Sequence, residues 1–575
     1  LGGRPYLVDM MRVDSWRHRS VPLLRQQADT STEPSEASLN PEDLWRRSFT
    51  SWHRGAGQLY VDGPTAKEDH RFLSSKGVNP WDERRLSLHK DTFLFIDPVT
   101  VAPVVADGWI YAISNAAMVR FTTSAEASIT GEPATDATAM TTNGKYVWTA
   151  HGTDGVYQHD VATTTTASYA TGTVTGLDYV AGRLMAWHNS ALYNITATGA
   201  LPTALLDKTD WTWVGCAEGQ GYIYAAAYSD TKSLIYKTTI TDDATSLGAP
   251  SVAAALPDGE VVNAIYGYLG FIFIGTNRGV RFAEADANGN LILGSTIEID
   301  GGVHAFEGEG SFVWFSWSDY DATSTGLGRL DLRVINDGGQ PAYASDLMAA
   351  TTGTVKGITT FDNRRVFWVE DGGIWAEEST KLVASGTITS GHITYGLVDA
   401  KVVKRIDAIM TGGGSATIAL SADDGTYRAL GTVTDASPEG ALPAAKSRGR
   451  RFAVRTTLTR DADDQTSGPS LEWITARAYP ALGTTEVITV PLLLFDQQAP
   501  GRAPVSEITQ KPSQELANIR GLRDQAQIIS YQEGLSNYQV LVVGVDWLPE
   551  ARAREVGVWN GVALVTLKTF GGLTE

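Results

Sequence analysis

Residues that could perform metal or acid–base chemistry are scattered along this chain, and their spacing matches no known catalytic motif. The histidines are His18, His53, His70, His89, His151, His159, His188, His304 and His392. None of them forms the HExxH or HxH spacing that brings two imidazoles onto one zinc ion. Cys216 is the single cysteine, which excludes a cysteine-based zinc site and an intrachain disulfide. The spacing of these residues therefore assigns no metal site.

Two histidines occupy equivalent places in the sequence. His151 and His188 each stand directly after an aromatic run. If the two runs are neighbours in the fold, the imidazoles could share a rim and bind a metal ion or a glycan. Solvated turn residues are the simpler interpretation, because polar residues follow both histidines. We therefore expect two solvated side chains at these positions.

Carboxyl pairs are the other candidates for chemistry. Asp319 and Asp321, or Glu307 and Glu309, could serve as the acid and base of glycoside hydrolysis. Such pairs arise easily in a chain with 65 acidic residues, so their spacing carries little specificity. The segment Asp286–Asn290 resembles part of a calcium loop but lacks the downstream glutamate, which favours a β-turn. No nucleophile elbow, P-loop or dinucleotide motif is present, so we assign no catalytic, cofactor-binding or metal-ligating residue.

Composition and charge limit the class of protein further. The 575 residues carry a formal net charge of −19, and hydrophobic residues make up 43% of them, enough for several packed cores. Nucleic-acid binding needs a basic face, whereas the small arginine cluster Arg448, Arg450 and Arg451 suggests a surface or interface patch. No apolar run is long enough for a transmembrane helix, and residues 1–12 lack the order of a signal peptide. We therefore expect no nucleic-acid partner and no membrane insertion.

The elements that would position these residues follow a repeat. A short run of aromatic and β-branched residues recurs seven times with starts roughly 40 residues apart, which is the spacing of β-propeller blades. These runs are Trp109–Ser114, Tyr146–Ala150, Arg183–Trp187, Tyr222–Tyr228, Phe271–Thr276, Phe312–Trp317 and Arg365–Glu370. The second predicted strands are Ala117–Thr122, Gly155–Asp160, Ala191–Ile195, Leu234–Thr239, Gly279–Ala283, Gly328–Leu332 and Gly373–Glu377. The pattern predicts a seven-bladed β-propeller over residues 93–383 rather than a long β-sandwich of unrelated hairpins.

Glycine-containing turns precede most of the aromatic runs. They include Asp107-Gly108, Asn143-Gly144, Ala181-Gly182, Gly219–Gly221 and Gly308–Gly310. Glycine and Asx residues reach the positive φ angles that tight hairpins require, so each pair of runs is expected to lie in one antiparallel sheet. The segment Leu86–Ile96 alternates in part, and we expect it to add a strand to the last repeat.

The flanks do not share the repeat, and we divide them into three parts of a mainly β chain. Residues 1–92 are interpreted as an extended N-terminal arm, residues 384–480 as a jelly-roll-like β-sandwich, and residues 481–575 as a small α+β assembly domain. The predicted sandwich strands are His392–Val398, Val402–Thr411, Ala416–Ser421, Tyr427–Val433, Arg451–Leu458 and Leu471–Ala478, with a hairpin turn over Ser421–Tyr427.

The C-terminal part mixes strand and helix patterns. Its predicted strands are Val487–Phe495, Ile528–Gln532, Tyr538–Trp547 and Ala563–Thr569, and its predicted helix is Ser513–Gln525. Pro491 interrupts the first strand and suggests an edge or a bulge. Ser513 is expected to cap the helix, and Tyr538–Trp547 is expected at the centre of the sheet.

Three flanking segments resemble minor tail proteins of siphophages that infect actinobacteria. The first is Leu44–Gln58 (LWRRSFTSWHRGAGQ) with Arg71–Thr92 (RFLSSKGVNPWDERRLSLHKDT). The second is Gly386–Thr434, including Lys401–Ile406 and Ser421–Tyr427, and the third is Gln532–Trp547 with Asn560–Leu567 (NGVALVTL). These segments cover a minor part of the chain and carry no catalytic signature, and the repeats themselves lack a WD or Kelch motif.

The resemblance implies a structural virion protein of the tail tip or baseplate. Such a protein would pack through its flanking domains against other tail-tip and baseplate subunits and distal tail proteins, as a homo-oligomer of three or six copies. It would carry the propeller outward, where a glycan of the host surface could be a further partner. The resemblance implies no enzyme activity and no cofactor.

Two other classes of function stay open. One is a glycan-cleaving β-propeller hydrolase whose carboxylates converge from several blades, and the other is a secreted lectin-like adhesion protein. An acidic cluster at one mouth of the ring would favour the enzyme, whereas an aromatic, polar rim without a carboxylate pair would favour binding. Our leading hypothesis is a non-enzymatic protein of tail assembly and host attachment.

Overall fold

A computed structural model describes most of the chain, in segments that form two compact units. The described residues are 6–8, 14–22, 45–62, 70–123, 125–133, 135–241, 246–299, 301–321, 323–336, 339–396, 398, 400–444, 447–481, 484–494, 512–533, 536–549 and 561–569. One unit combines Leu1–Asp29 with Pro480–Glu575, and the other is Thr30–Tyr479.

In the larger unit, the described residues between 90 and 382 form seven antiparallel sheets that succeed one another along the chain. Sheet 1 consists of Val104–Ala106, Trp109–Ser114, Ala117–Phe121 and Glu126–Ser128. Sheet 2 consists of Ala139–Thr142, Tyr146–Ala150, Val156–Asp160 and Thr165–Thr171. Sheet 3 consists of Gly176–Val180, Arg183–His188, Ala191–Ile195 and Leu206–Asp207. Sheet 4 consists of Thr212–Gly219, Tyr222–Ser229, Lys232–Thr239 and Ser251–Ala255. Sheet 5 consists of Val262–Tyr268, Phe271–Thr276, Gly279–Ala285 and Leu291–Glu298.

The last two sheets follow the same order. Sheet 6 consists of Phe306–Glu309, Phe312–Asp321, Ser324–Ile335 and Pro341–Ala349. Sheet 7 consists of Val355–Phe361, Arg364–Val369 and Gly373–Leu382, and its fourth strand is Lys90–Ile96 from before the repeats. The pairing expected from Leu86–Ile96 is therefore confirmed for Lys90–Ile96, whereas Leu86–Leu88 lies in another sheet. In addition, the short strand Gly199–Ala200 joins sheet 2 in a parallel pair.

The aromatic runs and the strands that follow them match the sequence prediction closely, because tight turns hold each pair of strands in register. We call the turn that joins the first strand of a sheet to its second strand the first turn of that sheet. Several first turns place two successive residues at positive φ, as two-residue hairpins require. They are Asp107 and Gly108, Ala181 and Gly182, Gln220 and Gly221, Leu269 and Gly270, and Asp362 and Asn363. Glycine and Asx residues fill most of these positions at little cost. Ala181, Gln220 and Leu269 are the other residue types at these positions, and leucine is the one large apolar side chain among them.

The seven sheets contact one another through their first strands. The first strand of each sheet lies against the first strand of the next, and that of sheet 7 lies against that of sheet 1. Apolar cores fill the spaces between consecutive sheets, for example between sheets 4 and 5, between sheets 6 and 7, and between sheets 7 and 1. Side chains also join first strands across these spaces: Thr141 Oγ1 accepts the Tyr179 N–H at 3.0 Å, and Asp178 Oδ2 accepts the Cys216 N–H at 2.7 Å.

Two further sheets of the larger unit enclose a common apolar core. One consists of Ser74–Lys76, Ser385–Thr389, Phe452–Thr459, Ser415–Ala422 and Arg428–Thr434. The other consists of Val78–Asn79, Leu86–Leu88, Ser470–Pro480, Lys401–Thr411 and Glu439–Pro443, with Trp45–Phe49 beside Ser470–Pro480 and Arg448–Gly449 beside Lys401–Thr411. Strands from residues 45–88 thus complete a pair of sheets that we expected from residues 384–480 alone.

The described part of the predicted strand His392–Val398 is not a strand. Tyr395 adopts a φ of +53° and Gly396 a φ of +68°, which turns the backbone. The carboxylate of Asp62 explains this turn, because its Oδ1 accepts the Thr394 N–H at 2.8 Å and its Oδ2 accepts the Tyr395 N–H. The ring of Tyr395 is buried and its hydroxyl donates to the Ala476 carbonyl at 3.0 Å. A distant carboxylate therefore outweighs the local alternation of this segment.

The described strands of residues 1–92 do not form one extended arm. They pair with other strands of the chain in three places. Leu7–Val8 and Arg17–Pro22 lie in the smaller unit beside Thr484–Leu494. The strands between residues 45 and 88 belong to the pair of sheets above, and Lys90–Ile96 belongs to sheet 7. Residues 23–44 of the predicted arm lie outside the described residues.

The smaller unit is one sheet packed against a helix. Its strand order is Leu7–Val8, Thr484–Leu494, Gly561–Thr569, Ser536–Pro549 and Ile528–Glu533, with Arg17–Pro22 also beside Thr484–Leu494. The helix Pro512–Asp524 packs Leu516 and Ile519 into the sheet's core. Ser513 is the second residue of this helix and not its cap, because the helix starts at Pro512, whose ring suits a first helical position. Among the described residues, no helix is long and apolar enough to cross a membrane.

Two predictions about this sheet were wrong. Its central strand is Gly561–Thr569, with Ser536–Pro549 one place further out. Pro491 lies inside the sheet without a register shift, opposite Leu564. On its other side, Leu492 pairs with Val8 and Thr489 pairs with Arg17. Pro491 thus falls between the two N-terminal partners, where a missing N–H costs least.

Candidate functional site

A groove lies where the first turns of sheets 3, 4 and 5 meet. It has a volume of about 280 Å³, near the lower end of the ~300–1,000 Å³ of typical ligand sites. Its lining consists of Ala181, Glu218, Gly219, Gln220, Gly221, Tyr222, Ile240, Gly267, Tyr268, Leu269 and Gly270. The lining comes from the three turns and their adjoining strands, together with Ile240 at the end of a third strand.

Glycine makes this groove possible. A Cβ at Gly267 would clash with the carbonyl oxygen of Glu218, so the first strands of sheets 4 and 5 approach closely only because residue 267 has no side chain. A Cβ at Gly219 would lie 2.7 Å from Ile272 Cδ1. By contrast, a Cβ at Gly221 or Gly270 would meet nothing within 4 Å. The open space beside these two residues is therefore left by the absence of side chains.

Two tyrosine rings form the walls of the groove, and packing against glycine fixes both. A Cβ at Gly289 would lie 2.7 Å from the ring of Tyr222, and one at Gly308 would clash with the ring of Tyr268. The Tyr268 hydroxyl also donates to the Gly310 carbonyl at 3.0 Å. Since one face of each ring rests on backbone, little rotamer freedom remains to be lost when a ligand packs on the exposed part.

The polar groups of the groove offer hydrogen bonds but little charge. Glu218 is exposed, and its Oε2 accepts the Ala181 N–H at 2.6 Å. Gln220 is exposed, and its Nε2 lies 3.5 Å from the Gly270 carbonyl oxygen, a distance at the outer limit for a hydrogen bond. Glu218 is the one charged side chain among the described residues of the lining. These residues can therefore donate and accept hydrogen bonds while stacking an apolar face, and they include no opposed pair of carboxyl groups.

Leu269 projects at the rim of the groove under backbone strain. Its side chain is 62% exposed, and its φ of +50° lies in the left-handed region. A leucine there costs about 1–2 kcal/mol more than a residue suited to that region. Neither burial nor turn geometry favours leucine at this position, and such strain is typical of a functional position.

The histidines singled out in the sequence are not brought into one site. His151 is buried, so the expectation of a solvated side chain was wrong for it. Its Nε2 lies 2.5 Å from Glu132 Oε2 and its Nδ1 lies 3.0 Å from the Thr135 carbonyl oxygen, which ties the segment between sheets 1 and 2 to the second strand of sheet 2. His188 is half-buried, and its Nε2 lies 3.1 Å from Asn189 Nδ2. Within the described residues, no cluster of three or more His, Cys, Asp or Glu side chains could hold a metal ion.

The paired glutamates of sheet 6 have different environments. Glu309 forms an ion pair with Arg365 and accepts the Trp314 Nε1–H at 3.3 Å. Burial raises the pKa of Glu307 to about 7, although the charge of Arg365 opposes the rise and that of Glu309 adds to it. The carboxylate of Glu309 is therefore neutralised by Arg365, whereas the carboxyl group of Glu307 is poorly hydrated and holds its proton more tightly. The side chains of Asp319 and Asp321 lie outside the described residues.

The partial calcium loop is closed by a lysine. Asp286 Oδ1 accepts the N–H groups of Asn288 and Asn290, each at 2.8 Å. These bonds, with that from the Asn290 side chain, hold the pKa of Asp286 below its usual value. Lys237 Nζ donates to the Asn288 carbonyl and to Asn290 Oδ1, each at 2.6 Å. The expected β-turn is confirmed, and an ammonium group binds the oxygens that a cation would need.

Calcium is therefore expected to leave the thermal stability of the protein unchanged. Binding of a ligand to the folded state alone raises stability in proportion to the logarithm of its concentration over Kd, and Lys237 competes for this loop. Thermal unfolding followed with about 1 mM calcium and with a chelator should give the same Tm. A higher Tm in calcium that disappears in a variant with Asn290→Ala would contradict the assignment.

The arginine cluster and the predicted hairpin turn at residues 421–427 meet on one surface. The turn joins Ser415–Ala422 to Arg428–Thr434, with Asp423 and Asp424 both at positive φ. Asp423 Oδ1 accepts the N–H groups of Arg450 and Arg451 at 2.8 and 3.1 Å, and Arg451 forms an ion pair with Asp424. Acidic residues of the turn thus offset part of the arginine charge.

The groove was not predicted from the sequence, although some of its residues were noted as turns. The Gly219–Gly221 segment was expected to form a turn, and this is confirmed. No local signal indicates that three turns about 40 residues apart lie side by side. The available clue was the residue type before the glycine of each turn: Ala181, Gln220 and Leu269 stand where a hairpin turn would normally hold Asn, Asp or Gly.

No protein-family model matches this chain, and no curated protein sequence matches it. Among solved structures, it is similar to selenomethionine-substituted virginiamycin B lyase from Staphylococcus aureus, with 13% identity and a TM-score of 0.39 over 50% of this chain and 97% of that one. It is also similar to BamB from Moraxella catarrhalis, with 11% identity and a TM-score of 0.33 over 50% and 99%. The WD40 β-propeller domain of Doa1 has 10% identity and a TM-score of 0.34 over 51% and 96%.

These likenesses concern about half of the chain and carry no information on function. The chain is mostly β and has a β-propeller among its structural neighbours. What it does must be argued from its own sheets and side chains.

Proposed function

We propose that the seven sheets are the blades of a single seven-bladed β-propeller over residues 93–383, completed by the strand Lys90–Ile96. The support is the repeated four-stranded order, the contacts between first strands that run from each sheet to the next and from the last to the first, and the apolar cores between consecutive sheets. The sandwich (residues 384–480, with the strands it borrows from residues 45–88) and the C-terminal α+β domain (residues 481–575) flank it.

We further propose that this protein is a non-enzymatic structural component of a siphophage tail tip or baseplate, located in the virion, that contributes to tail assembly and host-cell attachment. The observation that carries the attachment role is the groove, where fixed tyrosine rings, an amide and an exposed leucine meet without an opposed carboxyl pair. The resemblance of the flanking segments supports the tail role. In this proposal the protein needs no cofactor and no metal ion.

The partners in this proposal are other tail-tip and baseplate subunits, distal tail proteins and further copies of this chain. The net charge of −19 argues against nucleic acid as a partner. The flanking regions, residues 1–92 and 481–575, are expected to bury surface between subunits in a trimer or hexamer, because closed symmetric assemblies are the rule for homo-oligomers. The propeller would then face solvent.

Antibody raised against the propeller is expected to label intact particles at the tail tip. The measurement is electron microscopy of negatively stained virions with gold-labelled antibody against residues 93–383. Virions treated with antibody that was pre-absorbed on the purified propeller serve as the control. Particles without label, together with the protein free in solution, would remove the tail role and favour the secreted lectin-like protein.

A glycan-cleaving hydrolase is the second candidate, and one observation favours it. The pKa of Glu307, raised to about 7 by burial, is the value that a general acid needs at neutral pH. Against this role, Glu307 is half-buried and its neighbour Glu309 is bound by Arg365. Incubation of the purified protein with host cell-wall polysaccharide, followed by a reducing-sugar assay, distinguishes the two. We expect no release of sugar.

A further inference from the structure

We propose that the groove between the first turns of sheets 3, 4 and 5 binds an uncharged saccharide, with one or two pyranose rings stacked between Tyr222 and Tyr268. This inference rests on the proposed attachment role and names the chemistry of its ligand. The shape, the ring positions, the charge and the backbone strain of the groove each point in this direction.

The two tyrosines provide the stacking surface. A pyranose presents a patch of C–H groups on one face, and such a patch packs on an aromatic ring that is fixed in advance. Gly289 holds one face of Tyr222, and Gly308 holds one face of Tyr268. Both tyrosines line the groove and are half-buried, so part of each ring is exposed to a ligand there. The volume of about 280 Å³ suits one or two sugar rings rather than a longer buried oligomer.

The polar groups suit hydroxyl groups. Gln220 has an amide that both donates and accepts, and the carboxylate of Glu218 accepts. Their exposure at the groove lets them reach the edge of a stacked ring, where the hydroxyl groups of a pyranose project. Both groups can bond to sugar hydroxyl groups in addition to their contacts with the Ala181 N–H and the Gly270 carbonyl.

The charge of the site excludes anionic ligands. Within the part of the lining that the structure describes there is neither lysine nor arginine, whereas Glu218 is present. The whole chain adds a net charge of −19. The Lys237 ammonium, 5.8 Å from the centre of the Tyr222 ring, is already bound by oxygens of Asn288 and Asn290. A phosphate, a sulfate or a uronic acid would meet the like charge of Glu218. An uncharged sugar avoids this cost.

The exposed leucine at the rim of the groove also favours a sugar ligand. Its side chain is 62% exposed and its φ is +50°, so the fold gains nothing from a leucine at this place. As an apolar side chain at the rim, it would cover one side of a bound sugar ring and exclude water from the stacked face. Asparagine adopts this backbone conformation more readily, so binding and stability should respond in opposite directions to Leu269→Asn.

The test uses the full-length protein and a panel of methyl glycosides of glucose, galactose, mannose and N-acetylglucosamine. Saturation-transfer NMR should detect at least one of them, with a Kd in the millimolar range, and the methyl glycoside of glucuronic acid should bind more weakly. Tyr222→Leu should weaken binding about tenfold or more. Its matched control is Tyr146→Leu, since Tyr146 opens the second strand of sheet 2 as Tyr222 opens that of sheet 4; this control should leave binding unchanged.

Leu269→Asn keeps the proposal falsifiable even where a tyrosine variant folds poorly. It should raise the Tm by about 1–3 °C while weakening sugar binding several-fold. Asp362→Asn, at the equivalent turn position of sheet 7 with a φ of +48°, should leave binding unchanged. Absence of binding by every glycoside, or binding that these variants leave intact, would overturn the proposal. That outcome is separate from the tail role, which antibody labelling of virions decides.

Discussion

Replacing Asp346 by alanine is expected to lower the free energy of unfolding by about 3–5 kcal/mol. Asp346 is fully buried in the fourth strand of sheet 6. Its Oδ2 lies 2.5 Å from Arg329 Nε and accepts the Trp81 Nε1–H at 3.0 Å. Removing the carboxylate would leave a guanidinium group with little access to water and without the carboxylate that contacts it, and the loss of one partner of a buried ion pair is among the costliest single changes.

The surroundings of Arg329 make this loss hard to relieve. The guanidinium group lies 4.7 Å from the ring centre of Trp314 and 5.2 Å from that of Phe312. It also donates to Asn79 Oδ1 at 3.0 Å. Aromatic rings and an amide therefore hold the cation in place, so it cannot turn toward solvent when Asp346 is removed. Because Asn79 and Trp81 belong to the region that completes the pair of sheets, the variant should also weaken the contact between those sheets and sheet 6.

Denaturant unfolding of the wild type and the variant measures the effect. Glu370→Ala is the matched control, since Glu370 pairs with Lys356 at 2.5 Å but both side chains are about 40% exposed. Exposed pairs contribute about 0–1 kcal/mol, so the control should change stability little. Equal losses in the two variants would show that burial does not determine the strength of these pairs and would contradict the argument.

The sequence predicted best those elements whose cause is local. Runs such as Trp109–Ser114, Tyr146–Ala150 and Phe271–Thr276 are strands with the predicted bounds, because β-branched and aromatic residues lie between turn residues that reach positive φ. The short strands Ser74–Lys76 and Val78–Asn79 were missed, since two or three residues are too few for an alternating pattern to stand out.

Features that depend on distant residues could not be predicted. Thr484–Leu494 pairs with strands near the start of the chain. The residue pattern of neither segment predicts this pairing. The turn at Tyr395 depends on Asp62, and the groove depends on three turns that only the arrangement of the sheets brings together. Leu269 was visible in the sequence as an unusual turn residue, but its exposure was not.

The difference in stability between the wild type and Asp178→Asn is expected to depend strongly on pH. Burial raises the pKa of Asp178 from 3.8 to about 7, although the hydrogen bond from the Cys216 N–H opposes the rise. Between these two values the folded state holds a proton that the unfolded state has released. The contribution of Asp178 to stability is therefore fully present below pH 3.8 and is lost as pH rises through 7, by about 4 kcal/mol in all.

Asparagine keeps the structural role and removes the titration. Its side-chain oxygen can accept the Cys216 N–H as Asp178 Oδ2 does at 2.7 Å, so the strand contact should persist. Relative to the wild type, the variant should gain stability steadily from about pH 4 to about pH 8. Glu307→Gln should behave alike, with a change of about 3 kcal/mol, because burial raises the pKa of Glu307 from 4.5 to about 7.

The pH dependence of the wild type alone would not isolate Asp178 or Glu307, because buried and half-buried histidines change the free energy of unfolding with pH in the opposite direction. Burial lowers the pKa values of His53, His89, His159 and His304, and their contributions to stability rise with pH below about 6.5. These contributions cancel when wild type and variant are compared at the same pH. Asp160→Asn is the control, since backbone N–H groups lower the pKa of Asp160 and confine its effect to acid pH.

Asp178 and Glu307 occupy the same position in their sheets, two residues before the end of the first strand. First strands lie against one another from sheet to sheet, so both half-buried carboxyl groups lie where consecutive sheets meet. Above pH 7 each becomes a poorly hydrated charge, and the hydrogen bond from the Cys216 N–H is the one that stabilises Asp178 among the described residues. Stability differences that stay flat between pH 5 and pH 8 would show that water reaches these positions and that the first strands are less tightly packed than the hydrogen bonds between them indicate.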